Sequence, residues 1–412
     1  MISVVVLGIV FVLIAVRQVG KFKLDIWQIM FGGAVAVLLT RQISILDAIG
    51  SINIDVILFL FGMFVVGQAL EESGYLSHLA YLFFRKAKAI DSLILFILFG
   101  AGILSAFLMN DTLAIIGTPV VLLLAEKHNV SPKILLLTLA FAITTGSVMS
   151  PIGNPQNLLI AIHGNVGNSF VTFFKFLAIP TLINLLIAFF ILKIFFRDHF
   201  HDEQLNHSSE PLKDVRLTKL SKVSLAILFL LIIIKIILVY LGKEEQLKLT
   251  FIALLSAAPI ILLSKRRIEL VKKIDWHTLI FFAAMFVLMQ SVWNTGFFQL
   301  YIKNSHLNIT SVILILIVSV LLSQLISNVP LVALYLPLLI HYGVSQTGMI
   351  ALAAGSTIAG NLFILGAASN IIIIQNAEKK RDETITFWEF ARIGIPFTIL
   401  NVAVYFLFLK YF

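Results

Sequence analysis

Two short polar interruptions inside otherwise apolar sequence constrain this chain most strongly. Between Ser105 and Ile160 the sequence is almost wholly apolar except at 110–112 (NDT) and at 151–157 (PIGNPQN). In hydrocarbon, an unpaired backbone N–H or C=O costs several kcal/mol. A helix is therefore broken there only where protein or a water-filled cavity satisfies the freed groups. The interruptions predict a site within a membrane.

Composition supports a membrane location. Of the 412 residues, 60% are hydrophobic and 12% are charged, which is typical of a polytopic membrane protein. The net charge of +9 does not indicate nucleic acid binding, because the Lys and Arg residues lie in short loops between apolar runs, where they report topology. Cysteine is absent, which excludes thiolate metal sites and cysteine nucleophiles. We expect the lipid bilayer as a partner and no nucleic acid.

The second half of the chain repeats the arrangement of the first. Residues 323–337 align without a gap with residues 105–119, which matches Asn328 with Asn110. Further on, GAASN at 366–370 aligns with GNPQN at the end of the second interruption. Paired broken segments in two halves are typical of a transporter's binding site. We therefore predict two repeats.

The alignment divides the chain into a first repeat at 1–196, a cytoplasmic linker at 197–222 and a second repeat at 223–412. Each repeat is predicted to contain five transmembrane helices, one of them broken, and a re-entrant hairpin. Since five is odd, the second repeat inserts upside down relative to the first. The predicted fold class is an all-α polytopic membrane protein of two inverted repeats.

Helix lengths and charges fix the remaining details. The second arm of the first hairpin is predicted at 113–124, which covers only about 18 Å and cannot span the bilayer. An aromatic run at 75–84 suits an interfacial helix. Most of the 30 Lys and Arg residues fall in inside loops if the N-terminus is outside. We expect a plasma (inner) membrane protein with both termini outside.

Each interruption predicts a short helix that begins at mid-depth in the membrane. Asn154, Asn328 and Ser369 are good capping residues at these positions. Four helix dipoles with free N–H groups favour a bound anion without any Lys or Arg. The carbonyls freed by the same breaks, with Asn and Ser side chains, can coordinate a cation. An anion and a coupling ion can therefore share one site.

The candidate residues follow from these breaks. The predicted substrate ligands are Asn110, Thr112, Asn157, Asn328, Ser369 and Asn370. The predicted ligands of the coupling ion, Na⁺ or H⁺, are Asp111, Asn110, Ser150, Gly153, Asn154, Ser327, Asn328 and Gly366. For the asparagines the alternative is helix capping alone. Asp111 is aligned with Val329 and is the only carboxylate among the breaks, and such residues usually mark ion or proton pathways.

These segments resemble the ion transporter superfamily, which includes divalent anion/sodium symporters, citrate permeases, arsenite permeases and one class of sodium/proton antiporters. In the dicarboxylate symporters both hairpin tips read Ser-Asn-Thr, and here they read Met109-Asn110-Asp111 and Ser327-Asn328-Val329. The Asn-Asp tip is more similar to the arsenite permease and sodium/proton antiporter branch. The resemblance implies a homodimeric secondary transporter with an elevator-type motion of the part that contains the hairpins.

The predicted function is secondary active transport of a small anion or metalloid oxyanion, coupled to a proton or sodium gradient. A sodium/proton antiporter is the alternative on the same scaffold, and an ion channel is a more distant one, because broken helices also build selectivity filters. An intramembrane enzyme is not expected, since no HExxH or GxSxG motif and no paired intramembrane carboxylates occur. No cofactor besides the coupling ion and no metal site are predicted.

Overall fold

The computed structural model describes residues 2–16, 18–19, 22–23, 25–75, 78, 87, 89–128, 130–197, 213–241, 243, 246–297, 309–381 and 384–411. Most of the predicted linker and most of the predicted interfacial helix at 75–84 lie outside the described residues.

The first half is built of nine described helices, in which apolar stretches alternate with short polar connections. They are α1 (Ile2–Val16), α2 (Ile26–Leu39), α3 (Ile45–Ser51), α4 (Ile54–Glu72), α5 (Ile90–Ser105), α6 (Asn110–Lys127), α7 (Pro132–Ser147), α8 (Pro155–His163) and α9 (Ser169–Phe195). Between α1 and α2, strands β1 (Gln18–Val19) and β2 (Phe22–Lys23) form a two-residue antiparallel ladder, which the sequence did not predict.

The second half repeats this order in its described part. Its helices are α10 (Val215–Tyr240), α11 (Leu249–Leu263), α12 (Arg267–Lys273), α13 (Trp276–Trp293), α14 (Val312–Ile326), α15 (Asn328–His341), α16 (Gln346–Ile358), α17 (Ala368–Arg381) and α18 (Phe387–Tyr411). Two 3₁₀ turns, Ala359–Asn361 and Ile364–Gly366, fill the break between α16 and α17.

Five described helices are long and apolar enough to cross a membrane by themselves. They are Ile54–Glu72, Ser169–Phe195, Val215–Leu238, Trp276–Trp293 and Phe387–Tyr411. Shorter apolar helices pack beside them, including α5, α7, α11 and α14. The chain is therefore a multi-pass helical membrane protein.

The first hairpin differs from the prediction in the length of its second arm. Helix α6 begins at Asn110 and ends at Lys127, so its 18 residues cover about 27 Å. The prediction of a second arm limited to 113–124 is therefore wrong. The chain is broken before Asn110 and not after it. The backbone N–H of Asn110 finds its acceptor outside the helix, in the carbonyl of Gly153 at 2.9 Å, and this bond lets Asn110 and Asp111 form the first helical turn.

Helices from the two halves pack reciprocally. Helix α4 packs against α11, and the helices that hold the corresponding places in the order of the other half, α13 and α2, pack against each other. In the same way α6 packs against α17, and α15 packs against α8. The hairpins and broken helices thus surround the centre, while α2, α4, α11 and α13 lie beside them.

Ion pairs mark one face of the protein, which we call the linker face. Arg266 pairs with Glu72 at the end of α4, at 2.8 Å, and with Asp214 just before α10, at 3.7 Å. Lys193 near the end of α9 pairs with Asp91 at the start of α5. The linker joins α9 to α10, so both sets of pairs lie on the same face. The first hairpin, α5–α6, therefore opens toward this face.

The second hairpin, α14–α15, opens toward the other end of α4. A vestibule on that side is lined by His341 at the end of α15, by Asn53 and by His163. Asn53 caps the start of α4, accepting from Val56 N at 2.9 Å, and its Nδ2 lies 2.8 Å from Nε2 of His163. The two hairpins thus open toward opposite ends of the same helix.

Candidate functional site

The tips of the two hairpins and the two broken helices meet at one cavity of about 410 Å³. Four helices begin there, since the first residues of α6, α8, α15 and α17, which are Asn110, Pro155, Asn328 and Ala368, all line it. The N-termini of these helices bring their positive dipole ends to the cavity. The cavity is therefore suited to groups that carry partial or full negative charge.

The charged and aromatic groups of the cavity come partly from other helices. Its polar lining also includes Asp25, Trp27, Asp111, Gln156, Asp275, His277, Thr278, Ser327 and Gln375. No Lys or Arg is among the described residues that line it. In the described part of the chain, no group of three His, Asp or Glu residues is placed to hold a metal ion. The polarity of the cavity thus comes from helix ends, amides and carboxylates.

Asn110 and Asn328 both face this cavity, as the alignment of the two tips predicts. Asn110 is 5% exposed, and its Oδ1 accepts from the backbone N–H of Asp111 at 2.9 Å. Asn328 is 6% exposed, and its Oδ1 has no hydrogen-bond partner among the described residues. The two tips are therefore not equivalent, because the amide oxygen of Asn110 is satisfied and that of Asn328 is not. Such an atom needs a partner from water or solute.

Asp111 brings a carboxylate to the hairpin tip, and the cavity holds two more. Asp275 interacts electrostatically with Asp111 and caps α13 by accepting from the backbone N–H of Thr278 at 3.0 Å. Asp25 precedes α2 and is exposed. Repulsion between carboxylates in one cavity is relieved by a bound proton or cation. Asp25 and Asp275 are not predicted from the sequence, since each resembles an ordinary helix N-cap.

Ser327 at the second tip lies in a backbone region that side chains rarely adopt. Its φ is 68° and its ψ is 161°, a region populated almost only by glycine, and such residues cost about 1–3 kcal/mol and cluster at functional sites. Ser327 lines the cavity beside Asn328. The strained backbone thus holds the Ser327 hydroxyl at the site.

The first broken helix satisfies its own polar groups. Asn157 donates through Nδ2 to the carbonyls of Ser147, Val148 and Ser150 at 3.2, 3.3 and 3.0 Å. Asn154 caps α8 by accepting from the backbone N–H of Asn157 at 2.9 Å. Neither Asn157, Asn154 nor Ser150 lines the cavity. In this conformation, capping and bracing of the break account for their contacts.

The second broken helix leaves oxygens unsatisfied. Asn370 donates through Nδ2 to the carbonyl of Gly360 at 2.6 Å, but its Oδ1 and the hydroxyl of Ser369 have no partner among the described residues. Both residues are at most 1% exposed. At Gly366 a Cβ would lie 2.5 Å from the carbonyl oxygen of Ala359, so only glycine fits. These oxygens lie behind the cavity wall and are suited to a small cation.

Two further predicted ligands serve packing in this structure. A Cβ at Gly67 would lie 2.7 Å from Cγ2 of Thr112, so Thr112 fills the space beside α4. Gly153 accepts from Asn110 through its carbonyl, and a Cβ there would lie 2.5 Å from the carbonyl oxygen of Ser147. Of all the sequence-predicted ligands, the cavity wall contains Asn110, Asp111, Ser327 and Asn328.

A pair of stacked rings at the cavity is also not predicted from the sequence. The rings of Trp27 and His277 lie 4.8 Å apart and 9° from parallel. Each residue comes two positions after an aspartate that precedes a helix, Asp25 or Asp275. This shared Asp-x-aromatic spacing was the only local signal, and it carries no information about contact between α2 and α13.

A multi-pass helical protein in which paired hairpins and broken helices enclose a polar cavity has the architecture of a membrane transporter. The family model of the citrate transporters (CitMHS) matches residues 9–347, and the chain belongs to this family. This match confirms the resemblance seen in the sequence.

Several proteins named as transporters are similar to this chain over most of their length. An uncharacterized transporter of Mycobacterium bovis is 28% identical, with 98% of this chain and 96% of the relative covered. The silicon efflux transporter LSI3 of Oryza sativa subsp. japonica is 26% identical, with 90% of each covered. Among solved structures, the YdaH transporter of Alcanivorax borkumensis has a TM-score of 0.59 at 16% identity, covering 99% of this chain and 96% of that one. The last likeness concerns the fold alone.

Proposed function

We propose that this protein is a secondary active transporter of a small anion or metalloid oxyanion, coupled to a proton or sodium gradient. The observation that carries the proposal is that both hairpin tips, Asn110-Asp111 and Ser327-Asn328, lie at one cavity where four helices begin. Helix N-termini bind oxyanions without basic side chains. The citrate transporter family and the silicon efflux transporter among the relatives support an oxygen-rich solute.

The proposed topology is two inverted repeats, 1–196 and 223–412, joined by the cytoplasmic linker 197–222. Reciprocal packing of aligned helices and hairpins that open toward opposite ends of α4 support it. The basic connection between α11 and α13, which contains Arg266 and Lys273, lies on the linker face. Its charge favours a cytoplasmic position for that face and both termini outside in the plasma membrane.

The proposed motion is of the elevator type. The hairpins and broken helices would carry the cavity past α2, α4, α11 and α13. These four helices, from two copies of the chain, would form the scaffold. Asp25 and Asp275, which begin α2 and α13, lie where these helices leave the linker face. Their presence in the cavity lining supports a cytoplasm-facing conformation. The vestibule beside His163 and His341 would then be the path to the outside.

The proposed coupling ion binds near Asp111. A carboxylate at the tip of a re-entrant hairpin is expensive at mid-depth and usually marks an ion or proton pathway. Asn328 Oδ1, Ser369 Oγ and Asn370 Oδ1 supply unsatisfied oxygens in the second half. A proton needs only the carboxylate, whereas a sodium ion also needs such neutral oxygens.

A sodium/proton antiporter is the second candidate. It is favoured by the three carboxylates of the cavity, Asp25, Asp111 and Asp275, which no Lys or Arg among the described lining residues balances. Such a cavity attracts cations.

Transport by the purified full-length protein in proteoliposomes tests the proposal. Phosphate, sulfate, citrate, succinate, arsenite and silicic acid serve as probes, with pH and sodium gradients varied separately. We expect saturable transport of an oxyacid that depends on one gradient. Sodium-driven proton movement without any oxyacid effect would support the antiporter, and flux that neither saturates nor needs a gradient would support a channel.

A further inference from the structure

A stacked pair of rings joins two scaffold helices at the cavity. Trp27 lies in the first turn of α2, and His277 lies in the first turn of α13. Their ring centroids are 4.8 Å apart, and the planes are inclined by 9°, which is close stacking. Helices α2 and α13 pack along each other. The stack therefore holds the Trp27 ring in place from a neighbouring helix.

The Trp27 indole carries a donor that the protein leaves unused. Its Nε1 is buried and has no hydrogen-bond partner among the described residues, although Trp27 lines the cavity. An indole N–H is a donor only, and a buried donor without an acceptor is costly. An acceptor atom that a solute brings to the indole edge from the cavity would satisfy it.

The cavity also contains an unused acceptor. Oδ1 of Asn328 is buried and has no partner among the described residues, and the whole residue is only 6% exposed. Asp111 and Asp275 add carboxylate oxygens to the same lining. A solute in this cavity thus meets a donor on α2 and acceptors on both hairpin tips and at the start of α13.

We propose that Trp27, held by His277, is a substrate-recognition residue that donates from Nε1 to an oxygen of a hydroxyl-bearing oxyacid, whose own hydroxyl donates to Oδ1 of Asn328. This role rests on the proposed transport of an oxyacid, and it adds the protonation state in which the cavity binds that oxyacid.

The chemistry of the lining selects this form of solute. A fully deprotonated oxyanion has no hydrogen to donate to Asn328, and it meets the carboxylates of Asp25, Asp111 and Asp275 without a Lys or Arg among the described lining residues. A bare cation cannot accept from the Trp27 N–H. An oxyacid that keeps at least one hydroxyl satisfies both unused groups at once.

Trp27→Phe tests the donor, because phenylalanine keeps an aromatic ring for stacking and removes the N–H. Trp276→Phe is the matched control, since Trp276 donates from Nε1 to the carbonyl of Val271 at 2.9 Å and does not line the cavity. With arsenous acid as the probe in proteoliposomes, we expect the KM of Trp27→Phe to rise about tenfold, the loss of one hydrogen bond, while Trp276→Phe stays within about twofold. Equal KM values in both variants would overturn the proposal.

Variants of His277 test whether this residue acts only by stacking on the Trp27 ring. They also replace the Trp27→Phe test if that variant does not fold. His277→Ala removes the stacking partner and should raise the same KM, while His277→Phe restores the stack and should recover most of that loss. A KM for His277→Phe as high as that for His277→Ala would show that the imidazole acts otherwise than by stacking, and would overturn the positioning role.

A comparison of probes tests the required hydroxyl. Arsenous acid and silicic acid keep their hydroxyl groups at neutral pH, whereas sulfate has none, so sulfate should compete poorly for arsenous acid transport. Competition by sulfate as strong as that by silicic acid would overturn the inference and leave the proposed function standing. Absence of transport for every oxyacid by the unmodified protein would instead overturn the proposed function, and the role of Trp27 with it.

Discussion

Thr357 donates through its hydroxyl to Oδ1 of Asn157 at 3.2 Å, which joins the two broken helices at the buried centre of the protein. Both residues are fully buried. The same hydroxyl accepts from Nδ2 of Asn154 at 3.2 Å. One side chain of the second half therefore completes the polar network of the first break, and the two broken helices are held together beside the cavity.

Thr357→Val should destabilise the protein, because valine keeps the shape and removes the hydroxyl, which leaves the buried Oδ1 of Asn157 without its partner. A group left unsatisfied in this way costs about 1–3 kcal/mol. Thermal unfolding of the purified protein in detergent measures the loss. Thr357→Ser keeps the hydroxyl and is the control; a Thr357→Val variant as stable as Thr357→Ser would show that the network adds no stability.

Gly146→Ala should disrupt the contact between α7 and α5. A Cβ at Gly146 would lie 2.1 Å from the carbonyl oxygen of Gly102, a rigid backbone atom, so the helices must separate, at a typical cost of about 1–3 kcal/mol or more. The matched control is Gly32→Ala, since a Cβ at Gly32 in α2 meets no atom within 4 Å. There alanine should stabilise the helix by up to about 1 kcal/mol. Unfolding midpoints of the two variants that move in the same direction would contradict this.

Ser327→Gly should separate backbone strain from ligand binding at the second hairpin tip. Glycine adopts the positive φ of this position freely, which should relieve about 1–3 kcal/mol of strain, while Ser327→Ala keeps the strain. Both variants lose the hydroxyl. We expect Ser327→Gly to unfold at a higher temperature than Ser327→Ala and both to transport with a raised KM. Unchanged transport in both would limit Ser327 to a structural role.

The ion pairs of the linker face should make stability depend on acid. The Arg266 guanidinium, with Lys273, lowers the pKa of Glu269 from 4.5 to about 2. A folded-state pKa below the unfolded one means that the stabilisation is present above about pH 4.5 and is lost as pH falls toward 2. Glu269→Gln should therefore be slightly less stable than the unmodified protein at pH 7, and the two should converge near pH 2. Because the pair is exposed, 1 M salt should also reduce the stability difference between Glu269→Gln and the unmodified protein. A stability difference that grows in acid would contradict the lowered pKa of Glu269.

The sequence could predict the hairpin tips because their signal is local. Asn110 and Asn328 interrupt apolar runs, and the alignment of the two halves pairs them, so both physical arguments apply to single short segments. The same logic placed Asn157 at a break, but it could not distinguish a ligand from a brace. That distinction depends on the carbonyls of residues 147–150, to which its side chain donates.

The scaffold side of the cavity could not be predicted from the sequence. Asp25, Trp27, Asp275 and His277 begin helices of ordinary composition, and N-capping alone explains an aspartate there. What brings them to the cavity is the packing of α2 against α13, a contact between segments about 250 residues apart in the chain, and no periodicity within either segment reports it. Of the three carboxylates that line the cavity, only Asp111 lies at a break, so the sequence did not predict Asp25 and Asp275.

Asp111→Asn should leave folding and membrane insertion intact but abolish the dependence of transport on the pH or sodium gradient. Asparagine keeps the size of the side chain and removes its charge, and an ionised carboxylate at mid-depth, which costs roughly 2.5–3.5 kcal/mol, persists where it binds an ion or proton. Asp25→Asn is the control, because Asp25 lines the same cavity but is exposed at the start of α2. Transport rates of both variants in proteoliposomes, with each gradient imposed in turn, measure the effect. Unchanged coupling in Asp111→Asn would mean that this carboxylate only begins a helix, and the coupling ion would then be sought at the unsatisfied oxygens of Ser369 and Asn370.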